Sequence, residues 1–180
     1  MGNLIQHYKL IDHAMYISLN DRMLTSNEIR LMCISHTHTR PYFGGVFAVD
    51  NLPEMPSRTP IFYIVNTDLS TGVGKHWVLI TVINMHSCIE WFDSLNNKPQ
   101  FYHENLLRFV TRNYRYSYIA NSIQIQSNQS NKCGEFCMFV ADMRCMGCKY
   151  VEIMQTFNAD VLSENDVIVM NHLQRHILSL

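Results

Sequence analysis

The chain is organised around residues 131–140, which read Asn-Lys-Cys-Gly-Glu-Phe-Cys-Met-Phe-Val. A polar run precedes this stretch, and apolar residues then recur at helical spacing, which predicts a loop that feeds a buried helix. Cys133 lies at the junction. The unpaired N–H groups and positive dipole end of a helix N-terminus favour a thiolate over a thiol, so Cys133 is a candidate nucleophile. The alternative is that Cys133 packs as a small buried side chain.

The composition predicts a single ordered domain over residues 1–180. Hydrophobic residues make up 47% of the chain and charged residues 16%, and no linker-like run of Pro, Gly or Ser divides it. The formal net charge is -1. A protein without a global basic field is not expected to bind DNA strongly.

The sequence also bears on the compartment in which the protein works. The N-terminus has no apolar signal-peptide core, and no stretch approaches the length of a transmembrane helix, so the protein is expected to be neither secreted nor bound to a membrane. In such a chain the six cysteines are predicted to be reduced thiols rather than three disulfides.

Three apolar runs predict neighbouring antiparallel strands at residues 61–65, 77–83 and 88–92. His76 directly precedes the second run, and Asp93 directly follows the third. If these two strands pair as a hairpin around residues 84–87, the start of one lies beside the end of the other. The imidazole and the carboxylate are therefore expected to be neighbours.

The rest of the chain predicts helices around this sheet. Thr25 and Glu28 have capping-box spacing and start a first helix, and Pro99 fits the first position of another. Two closing helices are predicted near residues 150–157 and 163–177. The segment 40–53, punctuated by Gly and Pro, is interpreted as a loop, and residues 116–125 as a further strand.

A Cys, a His and an Asp form the set of groups that thiol-based acyl transfer requires. The nucleophile needs a base to take its proton and an acid to orient that base, and Cys133, His76 and Asp93 supply the three groups. Gln126 precedes Cys133 in the loop that leads to the helix. There its amide could join the backbone N–H of Cys133 as an oxyanion hole.

With these residues the chain resembles the adenovirus-type cysteine proteases and, more distantly, the SUMO proteases that share their catalytic core. The matching pieces are Arg-Pro-Tyr-Phe-Gly-Gly at 40–45, Ile-Val-Asn-Thr at 64–67, Gly-Lys-His-Trp at 74–77, Trp-Phe-Asp-Ser-Leu at 91–95, Gln126, and Asn-Lys-Cys-Gly-Glu-Phe-Cys at 131–137. The His-Trp pair and the spacing from Gln to Cys-Gly are the most specific of these pieces.

The resemblance implies an α+β, papain-like cysteine protease core of the adenain/SUMO-protease type, with a central mixed or antiparallel sheet flanked by helices. It implies His76 as the general base, Asp93 as the orienting acid, Gln126 as the oxyanion donor and Cys133 as the nucleophile. No metal and no cofactor are expected, and the implied partners are protein substrates of a monomeric enzyme.

Trp77 and Gly134 are predicted to line the substrate groove. A Trp in a strand is most often a core residue, but the resemblance makes Trp77 a roof over the groove beside His76. Gly134 adds room next to Cys133. A slot that is too narrow for a Cβ predicts cleavage after Gly, at Gly-Gly or Gly-X-Gly sites.

Two departures from the adenoviral pattern refine this expectation. Asp93 stands where adenoviral enzymes usually carry Glu, and the following Ser-Leu looks like the SUMO-protease form. No cysteine lies between Cys88 and Cys133, so no disulfide-tethered peptide activator is expected. This combination of adenoviral and SUMO-protease features resembles the proteases of virophages and virus-like DNA transposons. This implies processing of viral capsid or core precursors during virion maturation, in the virion or in the host-cell cytoplasm or nucleus.

Three alternatives remain open from the sequence. The same site could process or remove a ubiquitin-like modifier, as an isopeptidase of the SUMO-protease type. An inactive protease fold could serve as a scaffold. Finally, four cysteines could bind zinc in a small binding module, namely Cys133, Cys137, Cys145 and Cys148.

Overall fold

A five-stranded mixed sheet forms the centre of the protein in the computed structural model, which describes residues 22–54, 56–84, 88–112 and 118–178. In chain order the strands are β1 (Phe43–Ala48), β2 (Ile61–Asn66), β3 (Trp77–Asn84), β4 (Cys88–Phe92) and β5 (Ile119–Ala120). The spatial order follows the chain order. The pairs β2/β3 and β3/β4 are antiparallel, whereas β1 and β5 run parallel to their neighbours at the two edges.

Six helices flank this sheet in the described ranges. They are α1 (Ser26–Ser35), α2 (Pro99–Tyr102), α3 (Glu104–Arg112), α4 (Cys133–Cys145), α5 (Tyr150–Met154) and α6 (Leu162–Leu178). The expected α+β architecture is confirmed. Within the described residues, no helix is both long enough and apolar enough to cross a membrane.

The central strands are buried on both faces, which explains their continuous apolar runs. Alternate residues of β2 and β3 point to opposite sides of the sheet. One set, including Ile64 and Leu79, packs with α1, α4 and α6, and the other set, including Val65 and Ile80, packs against α3. The helix α4 thus lies across one face of the sheet, with its N-terminal end near the start of β3, where Trp77 contacts Cys133.

Several predicted elements are confirmed by this arrangement. The three apolar runs form β2, β3 and β4 with antiparallel pairing. Thr25 caps α1 in a reciprocal capping box with Glu28. The helix that was predicted from residues 131–140 begins at Cys133. The two closing helices are present as α5 and α6. The predicted hairpin turn lies largely outside the described residues.

The prediction of a loop over residues 40–53 was wrong, because residues 43–48 form the edge strand β1. Gly44 and Gly45 indicated a turn in the sequence. In the structure Gly44 allows close packing against the neighbouring strand, and Gly45 lies at a shift in the strand register. A Cβ on Gly44 would lie 2.3 Å from a ring carbon of Tyr63, and Gly45 has a φ of 139° at the shift in register. Glycine is required here because the neighbouring strand carries large side chains.

Two other predicted elements differ from the structure. The helix that starts at Pro99 is interrupted at His103, which is extended with φ of -153° and ψ of 143° and separates α2 from α3. The strand predicted over residues 116–125 is reduced to the two residues of β5 in the described part of the chain. Hydrogen bonds between the side chain of Asn121 and the backbone of Asp93 join this segment to the end of β4.

Candidate active site

Cys133 is the first residue of α4, and its side chain is almost fully buried, with 1% of the residue exposed. Its Sγ lies 3.4 Å from the backbone N–H of Trp77, which donates to it, and 3.9 Å from Sδ of Met23. The thioether of Met23 therefore covers the thiol. Cys137, one helical turn further along, is fully buried, and burial raises its pKa well above the usual range of a thiol.

His76 links Cys133 to Asp93. Its Nε2 lies 2.6 Å from Oδ1 of Asp93, and its ring also forms a hydrogen bond with Cys133, for which Nδ1 is the remaining nitrogen. Burial by itself lowers the pKa of His76. The hydrogen bonds to Asp93 and Cys133, together with the charges of both partners, outweigh burial and raise the pKa of His76 to about 9. The site thus favours the protonated form of the His76 imidazole.

Asp93 is fully buried, and its carboxylate accepts four hydrogen bonds. Oδ1 accepts from His76 and from the backbone N–H of Leu95 at 2.9 Å. Oδ2 accepts from the backbone N–H of Asn97 at 2.9 Å and from the hydroxyl of Tyr102 at 2.7 Å. All four partners donate hydrogen bonds to the carboxylate. Together they fix the orientation of Asp93 as a hydrogen-bond acceptor.

Gln126 is also buried, with 2% of the residue exposed, and its amide has a defined orientation. Its Oε1 accepts a hydrogen bond from the hydroxyl of Ser94, the residue after Asp93. Its Nε2 donates to the carbonyl of Ser130 at 2.7 Å. The backbone N–H of Gln126 donates to the carbonyl of Ser94 at 3.1 Å. A primary amide carries two N–H bonds, and one of them donates to Ser130, so the Gln126 amide has a second N–H donor.

Trp77 is a core residue, with 2% exposed, and it also lines a cleft of about 270 Å³ that Met23, Leu24 and the 69–74 loop help to form. Its indole N–H donates to the carbonyl of Leu24 at 2.9 Å. Trp77 is thus a core residue, and its role as a roof over the substrate groove stays a prediction. Gly134 is buried, and a Cβ there would lie 3.3 Å from Leu24, Ile29 and Trp77. Gly134 therefore permits close packing of α4, and its groove role stays a prediction.

Three residues of this site were missed from the sequence. Met23 covers the thiol, and Tyr102 contacts Asp93 and stacks on the His76 ring at a centroid distance of 5.7 Å. Asn121 holds the backbone of Asp93: its Oδ1 accepts from the N–H at 3.2 Å and its Nδ2 donates to the carbonyl at 2.7 Å. The aromatic side chain of Tyr102, nine residues after Asp93, was the only signal that the sequence offered.

The structure contains no group of three or more His, Cys, Asp or Glu residues that could hold a metal ion within its described ranges. The six cysteines, all of which are described, are free thiols. Cys133 and Cys137 face the core on successive turns of α4. The four-cysteine zinc site is therefore not formed in this structure.

The fold is of the papain-like type with a SUMO-protease-type core, and the known proteins that it resembles are cysteine proteases. The sequence is 31% identical over 104 residues to the SUMO-1 cysteine protease S273R of an African swine fever virus isolate from a Kenyan pig, covering 52% of this chain and 37% of the viral protein. It is 31% identical over 123 residues to cysteine protease S273R of a tick isolate from Malawi, covering 62% and 42%. The chain thus spans about two fifths of the length of these curated relatives. No protein-family model matches it.

Solved structures show the same fold. The crystal structure of the African swine fever virus pS273R protease superposes with a TM-score of 0.55 at 18% identity and covers 86% of this chain and 68% of that one. The C-terminal Ulp1 protease domain, solved in complex with Smt3, the yeast ortholog of SUMO, superposes with a TM-score of 0.56 at 15% identity, covering 93% and 81%. These comparisons support a SUMO-protease-type core and do not specifically support the adenovirus-type relationship.

Proposed function

We propose that this chain hydrolyses peptide or isopeptide bonds of protein substrates, with Cys133 as nucleophile, His76 as general base and acid, and Asp93 as orienting acid. The observation that carries the proposal is the continuous contact from Asp93 through His76 to Cys133. It supplies, at the start of a helix, the three groups that thiol-based acyl transfer needs. The raised pKa of His76 supports an imidazolium that is ready to protonate a leaving amine.

In the proposed reaction, His76 takes the proton of the Cys133 thiol, and the thiolate attacks the carbonyl carbon of the scissile bond. The carbonyl oxygen becomes an oxyanion, for which the backbone N–H of Cys133 and the amide of Gln126 are the proposed donors. Collapse of this intermediate expels the amine with the proton from His76 and leaves a thioester. Water then gives a proton to His76 and attacks the thioester, and collapse of the second intermediate breaks the C–S bond and releases the acid, while His76 returns its proton to the sulfur of Cys133.

The proposed substrates are ubiquitin-like modifiers, whose C-terminal Gly-containing tails would enter the cleft beside Trp77. Two observations support this choice. Curated relatives are named SUMO-1 cysteine proteases, and the Ulp1 domain of the same fold was solved with a SUMO ortholog. The burial of Cys133, with Met23 against its Sγ, would also favour residues without a Cβ before the scissile bond.

A second candidate function is the processing of viral precursor proteins in the virion or in the host cell. The specific observation in its favour is that the matching curated sequences are all from African swine fever virus. The chemistry at Cys133 would be the same in both cases. The two candidates differ only in whether a folded modifier or a short peptide segment is recognised.

The test uses electrophilic substrate mimics under reducing conditions. A SUMO protein with a C-terminal vinyl sulfone and a short Gly-Gly peptide with the same warhead are incubated with the purified chain, and adducts are located by mass spectrometry. We expect a covalent adduct at Cys133 that is retained in Cys137→Ala and absent in Cys133→Ala. Faster reaction of the SUMO probe supports the first candidate, and equal or faster reaction of the peptide probe supports the second. Absence of any adduct, or an adduct at Cys137, contradicts the protease proposal.

A further inference from the structure

Tyr102 contacts both the acid and the base of the candidate site, although it belongs to neither strand that carries them. Its hydroxyl lies 2.7 Å from Oδ2 of Asp93. Its ring stacks on the imidazole of His76 with an interplanar angle of 24°. A single side chain therefore touches the carboxylate from one direction and the imidazole face from another.

The direction of the Tyr102 hydroxyl hydrogen follows from its second partner. The side-chain Nδ2 of Asn97 lies 3.0 Å from the hydroxyl and can only donate, so the phenol oxygen accepts there. The hydroxyl hydrogen then goes to Asp93. Burial, followed by the charge of Asp93, raises the pKa of Tyr102 above its usual value, so the phenol keeps this hydrogen through the working pH range.

The local fold holds Tyr102 in this position. The segment after Asp93 turns back on the carboxylate, and the Asn97 carbonyl accepts a hydrogen bond from the indole of Trp91 at 2.9 Å. Pro99 starts the short helix α2, and the extended residue His103 ends it directly after Tyr102. The interruption between α2 and α3, which the sequence did not predict, lets the tyrosine face the site while α3 packs on the sheet.

We propose that Tyr102 is a positioning residue that tunes the basicity of His76 through Asp93 and fixes the plane of the imidazole. The proposal rests on the proposed function of this site. A phenol that donates to Oδ2 withdraws negative charge from the carboxylate, so Asp93 stabilises the imidazolium less than it otherwise would. The stacked ring limits rotation of the imidazole, so the nitrogen opposite Asp93 stays directed at Cys133.

The test compares Tyr102→Phe with Tyr150→Phe. The control removes the same atom from another partly buried tyrosine, whose hydroxyl donates to the backbone carbonyl of Trp91 at 3.1 Å and not to a residue of the triad. We expect Tyr102→Phe to lower kcat roughly 10-fold with little change in KM, and to move the alkaline limb of kcat/KM upward by about half a pH unit. Tyr150→Phe should leave that limb in place.

A second measurement does not depend on turnover. In Cys133→Ala protein, the His76 ring is titrated by NMR with Tyr102, with Phe, and with 3-fluorotyrosine at position 102, which is a stronger donor of nearly the same shape. The titration should move upward with Phe and downward with the fluorinated ring. An unchanged titration in both would overturn the positioning role even if the enzyme is active. Absence of turnover with the expected titration shifts would contradict only the proposed function.

Discussion

Ser94 donates its hydroxyl hydrogen to the side-chain oxygen of Gln126. The residue that follows the acid in the chain thus orients the amide that precedes the nucleophile. The same Ser94 carbonyl accepts the backbone N–H groups of Ile125 and Gln126, at 2.9 and 3.1 Å. The end of β4 and the loop before α4 are therefore one hydrogen-bonded unit, and this unit contains two of the four proposed catalytic residues.

Gln126→Ala is expected to lower kcat about 100- to 1000-fold with a much smaller effect on KM, because the amide is needed when charge develops on the oxyanion. Steady-state kinetics on a fluorogenic Gly-Gly peptide measure both constants. Gln129→Ala is the matched control, since Gln129 is exposed on the same loop. A mild effect of Gln126→Ala beside a severe effect of Gln129→Ala would contradict the assignment.

Ser94→Ala is expected to lower kcat roughly 10-fold, less than Gln126→Ala, because the amide stays present but loses the donor that orients it. The double variant should be no slower than Gln126→Ala, since both changes act through one amide. Additive losses in the double variant would show that Ser94 acts on something other than Gln126.

Glu135→Gln is expected to stabilise the protein at pH 8 but not near pH 4. Glu135 is fully buried, and its ion pair with Lys132 spans 3.6 Å. Burial, opposed by Lys132, raises the pKa of Glu135 from 4.5 to about 7.

The sign of this effect follows from the raised pKa. Below pH 4.5 the carboxyl is protonated in both the folded and the unfolded chain and carries no penalty. Between pH 4.5 and about 7 the unfolded chain releases the proton while the folded protein retains it, so the free-energy penalty grows with pH and levels off above about 7, at roughly 3 kcal/mol. Thermal melts from pH 4 to 8 should show a growing advantage of Glu135→Gln. Glu104→Gln, at an exposed site, should show none.

Peptides with Gly-Gly before the scissile bond are expected to be cleaved faster than Gly-Ala and Ala-Ala analogues. Each methyl group that Ala adds should lower kcat/KM by about 10-fold or more. The reason is steric, since Cys133 is almost fully buried and Met23 lies against its Sγ. Comparison of kcat/KM for the three peptides is the measurement. Met23→Ala should relax the preference. Trp77→Ala is a poorer test, because loss of a core Trp typically costs 3–5 kcal/mol of stability. Equal rates for all three peptides would mean that the approach is open.

The purified chain is expected to turn over substrate under reducing conditions without DNA and without a cysteine-bearing peptide. No cysteine lies between Cys88 and Cys133 to tether such a peptide, and the net charge of -1 offers little attraction to a phosphate backbone. Activity assays with and without duplex DNA and thiol peptides measure this. Strong stimulation by DNA, or covalent capture of a peptide, would contradict it.

Much of the fold was predictable because its signals are local. The capping box of Thr25 and Glu28 lies within four residues, and turn-forming residues flank the apolar runs that form β2, β3 and β4. The strand β1 was missed because its pairing depends on side chains of another strand: Gly44 lies against Tyr63. A glycine that avoids a clash looks in the sequence like a glycine that makes a turn.

The chemical groups of the candidate site can be read from the sequence, and so can the closeness of His76 and Asp93, because hairpin pairing relates these two residues through a short connection. Their surroundings depend on tertiary packing. Met23 meets Cys133 across 110 residues of chain, and Ser94 meets Gln126 across 32. Such contacts arise when the sheet and α4 pack together, and neither residue of a pair carries a local pattern that identifies its partner. Side-chain packing across distant segments, rather than backbone propensity, sets the orientation of the acid, the amide and the cover over the thiol.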